Sequence, residues 1–471
     1  MSGMIKINGN SNKANNIPII KNLRTDDIIK PTEFTIKYIA EDFENTILRH
    51  YIYINGEKKE ITKDVGYEKP NNEFIYCLSN LINNTLYSIQ IELSDGINIV
   101  QSSILNIKTP EAKILGISVD EKNSSPEQSV SYIENSIGKT PANKNSLGEW
   151  IEEFPYNKIR IVGFKNGKVT KEVDVFNKSK YKDGSSVPLD VDIMVEIPKV
   201  YWKFTNTING YELRIANAKV DDSYDCYAHK INGIEKDNIY IGAYLGSIQN
   251  GKLRSVSNVM PTHTKNIVDF RISAQANGSG YQQMNWFTLT LIQILYLIAY
   301  KNLNSQSAIG MGYTEGSSLT STGGTLMKGL CYGSIDGRIQ MCFLGIEDLW
   351  GNTRMWIDGM KISSRGELLV NSKNTNFNDS AEGYENIGKC NISNGRISKT
   401  IHTNKGGFFP MEFSGSDTIY YCDNGWLGYD NIGICGGYCT DKKSAGIFYI
   451  RATYYNGNAY QDIGSRLCYL G

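Results

Sequence analysis

Two hydrophobic periods divide this chain. Over most of its length, short apolar runs alternate with polar residues and break at glycine, asparagine or aspartate, as half-buried β-strands joined by tight turns do. Phe34-Thr35-Ile36-Lys37-Tyr38-Ile39 partly alternates in this way. His50-Tyr51-Ile52-Tyr53-Ile54 ends at Asn55-Gly56, a strong hairpin signal. Phe74–Leu78 and Leu86–Leu93 follow, Asp95-Gly96 marks another turn, and Ile104 to Pro110 closes the series. Strands at this spacing over roughly 90 residues predict a small β-sandwich across 17–110. The residues before it, 1–16, are polar and read as an extended attachment arm.

Residues 111–205 continue the β pattern. Asn166-Gly167 places a hairpin turn between Ile159–Phe164 and Val169–Val175. The segment closes with Asp192 to Trp202, interrupted by Pro198, which suits an edge or a bend. This stretch is either a β-rich connector or part of the next domain. The period changes at Trp286–Tyr300, which is apolar on most of its circumference and predicts a helix buried against a sheet. A shorter helix is predicted near Asn266–Gln275. Glycine-rich loops and short strands follow to Gly471. The expected architecture is multidomain: an all-β sandwich, then an α+β domain over 206–471.

Composition narrows the classes of function. At 471 residues the chain exceeds what one core usually supports. Lys+Arg and Asp+Glu both total 49, and the basic excess or stripe of a nucleic-acid binder is missing. The longest apolar run is too short to span a membrane. Met1 to Lys6 leads into Asn-rich polar sequence, not an apolar core of about 7–15 residues, so synthesis in the cytoplasm without a signal peptide is expected. The nine cysteines make no metal framework, and they read as free thiols. No metal and no cofactor is expected.

Candidate chemistry concentrates near the C-terminus. Gly436-Gly437-Tyr438, Ala445–Ala452 and Gly464–Cys468 bracket two loops rich in Tyr, Asn, Asp and Lys. Tyrosine supplies a large, stiff, amphipathic contact and asparagine an adaptable hydrogen bond. If Phe448 and Ile450 point inward, alternation points Tyr449 and Arg451 outward. Upstream, Trp350 and Trp356 flank Asn352 and Arg354, with Asp348 and Asp358 outside them. These residues make either a sugar site or a structural turn, and the structural turn is favoured because short polar side chains at glycine-rich turns usually satisfy backbone groups. The Glu-Pro-Asn, Gln-Pro-Asp and Trp-Asn-Asp tripeptides of calcium-dependent sugar binding are missing. Cys435 and Cys439 have no activating base or cation between them. His50, His229, His263 and His402 are scattered and read as structural; His229 near Cys226 is a weak metal suggestion.

Several of these motifs occur in a recognisable order. Asp348-Leu349-Trp350-Gly351-Asn352-Thr353-Arg354-Met355-Trp356, Gly436-Gly437-Tyr438 and Gly464-Ser465-Arg466-Leu467 resemble the ordered motifs of a C-type lectin-like fold, shared by formylglycine-generating enzymes, variable proteins of diversity-generating retroelements and some phage tail receptor-binding proteins. The phage-type resemblance extends upstream through Gly116–Asp120, Ser125-Pro126, Val130-Ser131-Tyr132, Val195–Lys199 and Gly278-Ser279-Gly280-Tyr281. Within 17–110, Leu81–Tyr87 and Thr109-Pro110 resemble fibronectin type III modules. The resemblance implies a non-enzymatic receptor-binding protein of a phage tail or phage-tail-like bacteriocin. It would be carried at the tail tip of the particle, attached to baseplate or tail proteins through its N-terminal region, and assembled as a homotrimer. Its partner would be a Gram-positive cell-surface protein or glycan. The positions matching the family's binding face are Tyr438, Tyr449, Arg451, Tyr454, Tyr455, Asn456 and Tyr460, which Trp426 and Tyr429 would extend. The alternatives are a structural baseplate protein and a glycan-degrading tail enzyme, the latter needing two carboxylates about 5–9.5 Å apart in a cleft.

Overall fold

The Asn-Gly signals form the turns they predict. Asn55 and Gly56, at φ +51° and +87°, join the antiparallel strands Arg49–Ile54 and Glu57–Glu60. Asn166 and Gly167, at +52° and +75°, join Arg160–Lys165 to Lys168–Asp174. Two left-handed residues in succession match the natural twist of the flanking strands. The computed structural model describes residues 16–26, 28–42, 48–68 and 71–471. All of the expected arm except Asn16 lies outside the described residues. Strand accounts for 41% and helix for 9%, and the chain divides at Ala112 into two units, so it is a multidomain β-rich protein.

In the first unit, one sheet runs in the order Ile19–Thr25, Phe34–Glu41, Glu73–Leu78, Gly66–Glu68. A second is built on Glu57–Glu60, Arg49–Ile54 and Leu86–Ser94, with Ile99–Gln101 and Leu105–Lys108 both pairing to Leu86–Ser94. The period-two pattern has a direct outcome: Phe34, Ile36 and Tyr38 are buried from one sheet, and Ile52, Ile89 and Ile91 meet them from the other.

The second unit joins what the sequence left open. Strands from 111–205 share one seven-stranded sheet with strands from the C-terminal region, in the order Asn177–Tyr181, Lys168–Asp174, Arg160–Lys165, Asp192–Pro198, Asn238–Gly242, Leu467–Tyr469, Tyr281–Gln283. Residues 111–205 therefore do not stand apart. Pro198 pairs on one side only, with Asn238, and the chain leaves this sheet after it for the strand Tyr201–Thr207 of another. It is the last residue of a central strand, where its missing N–H interrupts no further pairing. A second sheet runs Glu385–Lys389, Glu367–Val370, Arg354–Ile362, Ile432–Gly436, Gly446–Tyr454, Asn424–Leu427, Asn394–Arg396.

The two expected helices form as α1, Ile267–Gln275, and α2, Trp286–Tyr300. Asn266 and Asn285 cap them by accepting hydrogen bonds from the N–H groups of Asp269 and Thr288. Every residue of α2 is buried. Its polar atoms are mostly accounted for: Thr290 Oγ1 donates to the Trp286 carbonyl (2.9 Å), Gln293 Nε2 to Ile447 (2.9 Å) and Tyr296 Oη to Asn302 (2.7 Å). No helix among the described residues is long and apolar enough to cross a membrane.

Two measurements test this packing. Leu295→Ala, within the core around α2, should lower the unfolding free energy of the second unit by about 2–5 kcal/mol, read as a shifted denaturant midpoint, and leave the first unit's transition in place. The second concerns acid. Burial lowers His50 from 6.5 to about 4, so the folded state binds fewer protons than the unfolded state between those values. Stability from this site is complete above about pH 6.5 and is lost as the pH falls towards 4, by up to about 3 kcal/mol. His50→Phe, which keeps a ring beside Tyr38 and Phe74, should flatten the first unit's melting profile over that range.

Candidate functional site

One face of the C-terminal sheet carries a continuous cross-strand row. Strand register sets Trp356 opposite Ile434, Ile434 opposite Arg451, and Arg451 opposite Trp426. Side chains directly opposite on adjacent strands share a face. Trp356 and Ile434 are fully buried, Arg451 is half-buried and Trp426 is 43% exposed. The row thus runs from the core out to solvent. Its buried end joins the cluster around α1, with Ile267 and Phe270.

At the open end, the Arg451 guanidinium lies between two rings, with its Cζ 4.4 Å from the Trp426 centroid and 4.9 Å from that of Tyr454. Regular alternation would send Tyr454 to the opposite side from Arg451. A bulge between the pairs Ile432–Tyr454 and Ile434–Arg451 adds one residue and turns Tyr454 back onto the Arg451 side. Tyr454 then contacts Trp356 at 5.8 Å and Tyr460 at 5.4 Å between centroids. Arg451 Nε is also held by Thr453 Oγ1 at 3.0 Å.

A second arginine sits on the same face. Arg354 Cζ lies 5.4 Å from the Tyr438 ring and 5.9 Å from the Tyr449 ring. Its Nη2 donates to both carboxylate oxygens of Asp441 at 2.7 Å, and its Nη1 pairs with Asp462. Burial opposes the Arg354 charge, but Tyr449 and Asp441 outweigh it and hold the guanidinium above its usual value. Gly436 and Gly437, at φ +91° and +89°, make this possible. A Cβ at Gly436 would lie 2.6 Å from the Leu349 carbonyl oxygen, so only glycine lets the chain turn here and bring Tyr438 over Arg354.

The remaining positions separate. Tyr455 (59% exposed), Asn456 and Tyr460 stand in solvent on the loop after Gly446–Tyr454. Its backbone is tied by Asn458 Oδ1, which accepts from Tyr455 N at 2.7 Å, and by Tyr460 O, which accepts from Thr264 N at 3.0 Å. Tyr429 is also exposed, but it stands beside Gly366, and among the described residues no ring contact links it to Trp426. Tyr449 does not point to solvent. It lies on the Arg451 side, as alternation requires, yet it is only 4% exposed, with Arg354 over its ring and Asp441 nearby. Tyr454 is buried for a related reason, packed between Trp356, Tyr460 and Arg451. The accessible residues are therefore Trp426 and Arg451 on the face, Tyr460 joined to it through Tyr454, and Tyr455 and Asn456 on the loop that follows, with Tyr438 half-buried. Asp441 and Asp462 were not read as partners of this face. They stand 87 and 108 residues from Arg354, and no local pattern links them.

The tryptophan turn is structural. Trp350, Trp356, Asp348, Asn352 and Asp358 are all buried. Asp348 Oδ2 accepts from Gln340 Nε2 (2.6 Å) and Asn352 Nδ2 (2.9 Å), while Asn352 also bonds both Thr320 backbone groups (3.0 Å each). Burial and the neighbouring Glu347 push the Asp348 carboxyl well above its usual range. Asp358 is held by Arg271 and by Gln283 Nε2 (2.9 Å). Burial also raises both thiols of the cysteine pair, Cys435 to about 12, which removes the thiolate that cysteine chemistry needs. His229 Nε2 meets the Ile197 carbonyl at 3.2 Å. Among the described residues, no three His, Cys, Asp or Glu side chains gather where they could hold a metal ion.

The two arginines should respond differently to truncation. Arg354→Ala leaves Asp441 and Asp462 without their shared partner and should destabilise the second unit by about 3 kcal/mol. Arg451→Ala removes a partly exposed cation–π contact and should cost about 1 kcal/mol or less. Denaturant melts of the two variants would separate a structural arginine from one available to a partner. No protein-family model matches the chain, and no curated protein matches it.

Proposed function

We propose that this chain is the receptor-binding protein of a phage tail or phage-tail-like bacteriocin, and that it recognises a protein or glycan on a Gram-positive cell surface. The observation that carries the reading is the open end of the C-terminal face, where Trp426 and Arg451 reach solvent beside Tyr460, with Tyr455 exposed on the loop that follows the bulged strand. Trp, Tyr and Arg are the side chains most enriched at binding hot spots. Because the rings are already fixed by Arg451 and Tyr454, little rotamer freedom remains to be lost on binding.

On this reading the second unit is a C-type lectin-like domain, and the first is a fibronectin type III-like module that attaches it to the tail or baseplate. Trimeric assembly would multiply modest contacts through avidity. The reading is of a binder without catalytic activity. The carboxyls with the most strongly raised proton affinity, Asp348 and Asp423, are fully enclosed and engaged with the protein's own groups, out of reach of a substrate.

The test is adsorption. The full chain should bind intact cells of a susceptible Gram-positive strain, and a Trp426→Ala/Arg451→Ala/Tyr455→Ala variant with an unchanged melting temperature should bind about 100-fold more weakly. Equal binding by both proteins would remove recognition from this face. Failure of the full chain to bind across a broad panel of strains would favour a structural baseplate role.

A further inference from the structure

We propose that the partner of the C-terminal face is a protein, and that an Asp or Glu carboxylate on its surface seats on the Arg451 guanidinium. The inference rests on the receptor-binding reading and names the chemistry that the receptor brings to this face.

Arg451 stands apart from the other arginines of its unit. Among those that are buried or half-buried, Arg214, Arg254, Arg271 and Arg354 pair with carboxylates, and Arg396 and Arg466 donate to backbone carbonyls. Arg451 makes no ion pair among the described residues, and its guanidinium gives a single hydrogen bond there, from Nε to Thr453 Oγ1 at 3.0 Å. Its Nη1 and Nη2 have no acceptor, and neither is closed to solvent. Asp441 and Asp462, the carboxylates brought to this face, are both held by Arg354. The chain therefore presents a half-buried cation whose charge and N–H groups it does not itself answer.

The surroundings of Arg451 favour a carboxylate. Trp426 and Tyr454 attract its charge from 4.4 and 4.9 Å, but a ring face does not replace an acceptor pair. Nη1 and Nη2 lie side by side in one plane and match the two oxygens of a carboxylate, the strongest form of charge-assisted hydrogen bond. Thr453 and the two rings hold the fork in place before a partner arrives, so little side-chain freedom remains to be lost.

The open form of the surface favours a protein. The clefts of about 430, 660 and 770 Å³ on this unit are lined by other residues. Arg451 instead sits among exposed rings: Trp426 beside it, Tyr460 against Tyr454, and Tyr455 on the loop that follows. A small ligand is held by concave enclosure, whereas a protein covers an open surface and excludes water from the arginine and aromatic residues at its centre. Excluding water strengthens the ion pair beneath.

The test is adsorption of the full chain to cells of a susceptible Gram-positive strain in three states: untreated, with surface carboxyls amidated by carbodiimide and glycinamide, and shaved with protease. Untreated cells should bind the chain, and both treatments should abolish binding. Arg451→Gln removes the charge, and Arg451→Lys keeps the charge without the planar fork. Each should weaken adsorption at least about tenfold while keeping a cooperative melt. Raising NaCl from about 0.05 to 0.5 M should weaken adsorption of the full chain and of Arg451→Lys more than that of Arg451→Gln. Adsorption that survives amidation, or that both substitutions leave unchanged, overturns the proposal and leaves the receptor-binding reading standing. Loss on amidation but not on protease treatment places the acid on a glycan and overturns the protein partner. Absence of adsorption across a broad panel of strains counts against both.

Discussion

The second unit is organised by the burial of one helix. Trp286–Tyr300 has no exposed residue, and a helix that is apolar around its whole circumference must be enclosed. It packs between Ile114–Asp120 and Arg354–Ile362, strands of two different sheets. Sheets supply the broad apolar faces such enclosure needs. Hydrogen bonds from Gln293 to Ile447 and from Tyr156 to the Leu295 carbonyl then fix the helix to its surroundings at both faces. Side chains from across residues 115–470 meet in this core, and residues 113–471 form one compact unit.

The position of the aromatic face follows from that enclosure. Met355, Cys435, Phe448 and Ile450 belong to the core on one side of the C-terminal sheet. Their strand neighbours Trp356, Ile434, Tyr449 and Arg451 are therefore forced onto the other side. There α1 covers only one end of the row, through the cluster of Ile267 and Phe270 with Trp356. The uncovered end holds Arg451 and Trp426. A stiff, partly exposed aromatic surface arises where the sheet extends past its covering helix.

Charges inside the unit serve the frame. Arg466 is completely buried and donates to three carbonyls, those of Gly242 (2.8 Å), Glu347 (2.6 Å) and Asp348 (3.0 Å). It thereby ties the strand Leu467–Tyr469 to the tryptophan turn and to the strand beside it. Lys178 plays a similar part, capping the carbonyls of Thr325 and Gly329 at 2.8 and 2.9 Å. Such groups are costly to bury and tolerable only when every donor is used. They hold loops with little regular structure in one arrangement.

Local pattern alone determined the elements whose cause is local. Alternation marked the strands, all-round apolarity marked α2, and Asn-Gly pairs marked the turns, because each depends on residues within a few positions of one another. The short polar side chains of Asp348 and Asn352 also pointed to a structural turn, because they satisfy groups close to them in the chain. Tertiary structure decided what no window of sequence contains. It buried Tyr449 against Arg354, turned Tyr454 with a bulge, and paired Arg354 with Asp441 and Asp462. Exposure, partner identity and cavity shape depend on which distant strands come together, and that is set by packing over the whole unit, not by local preference.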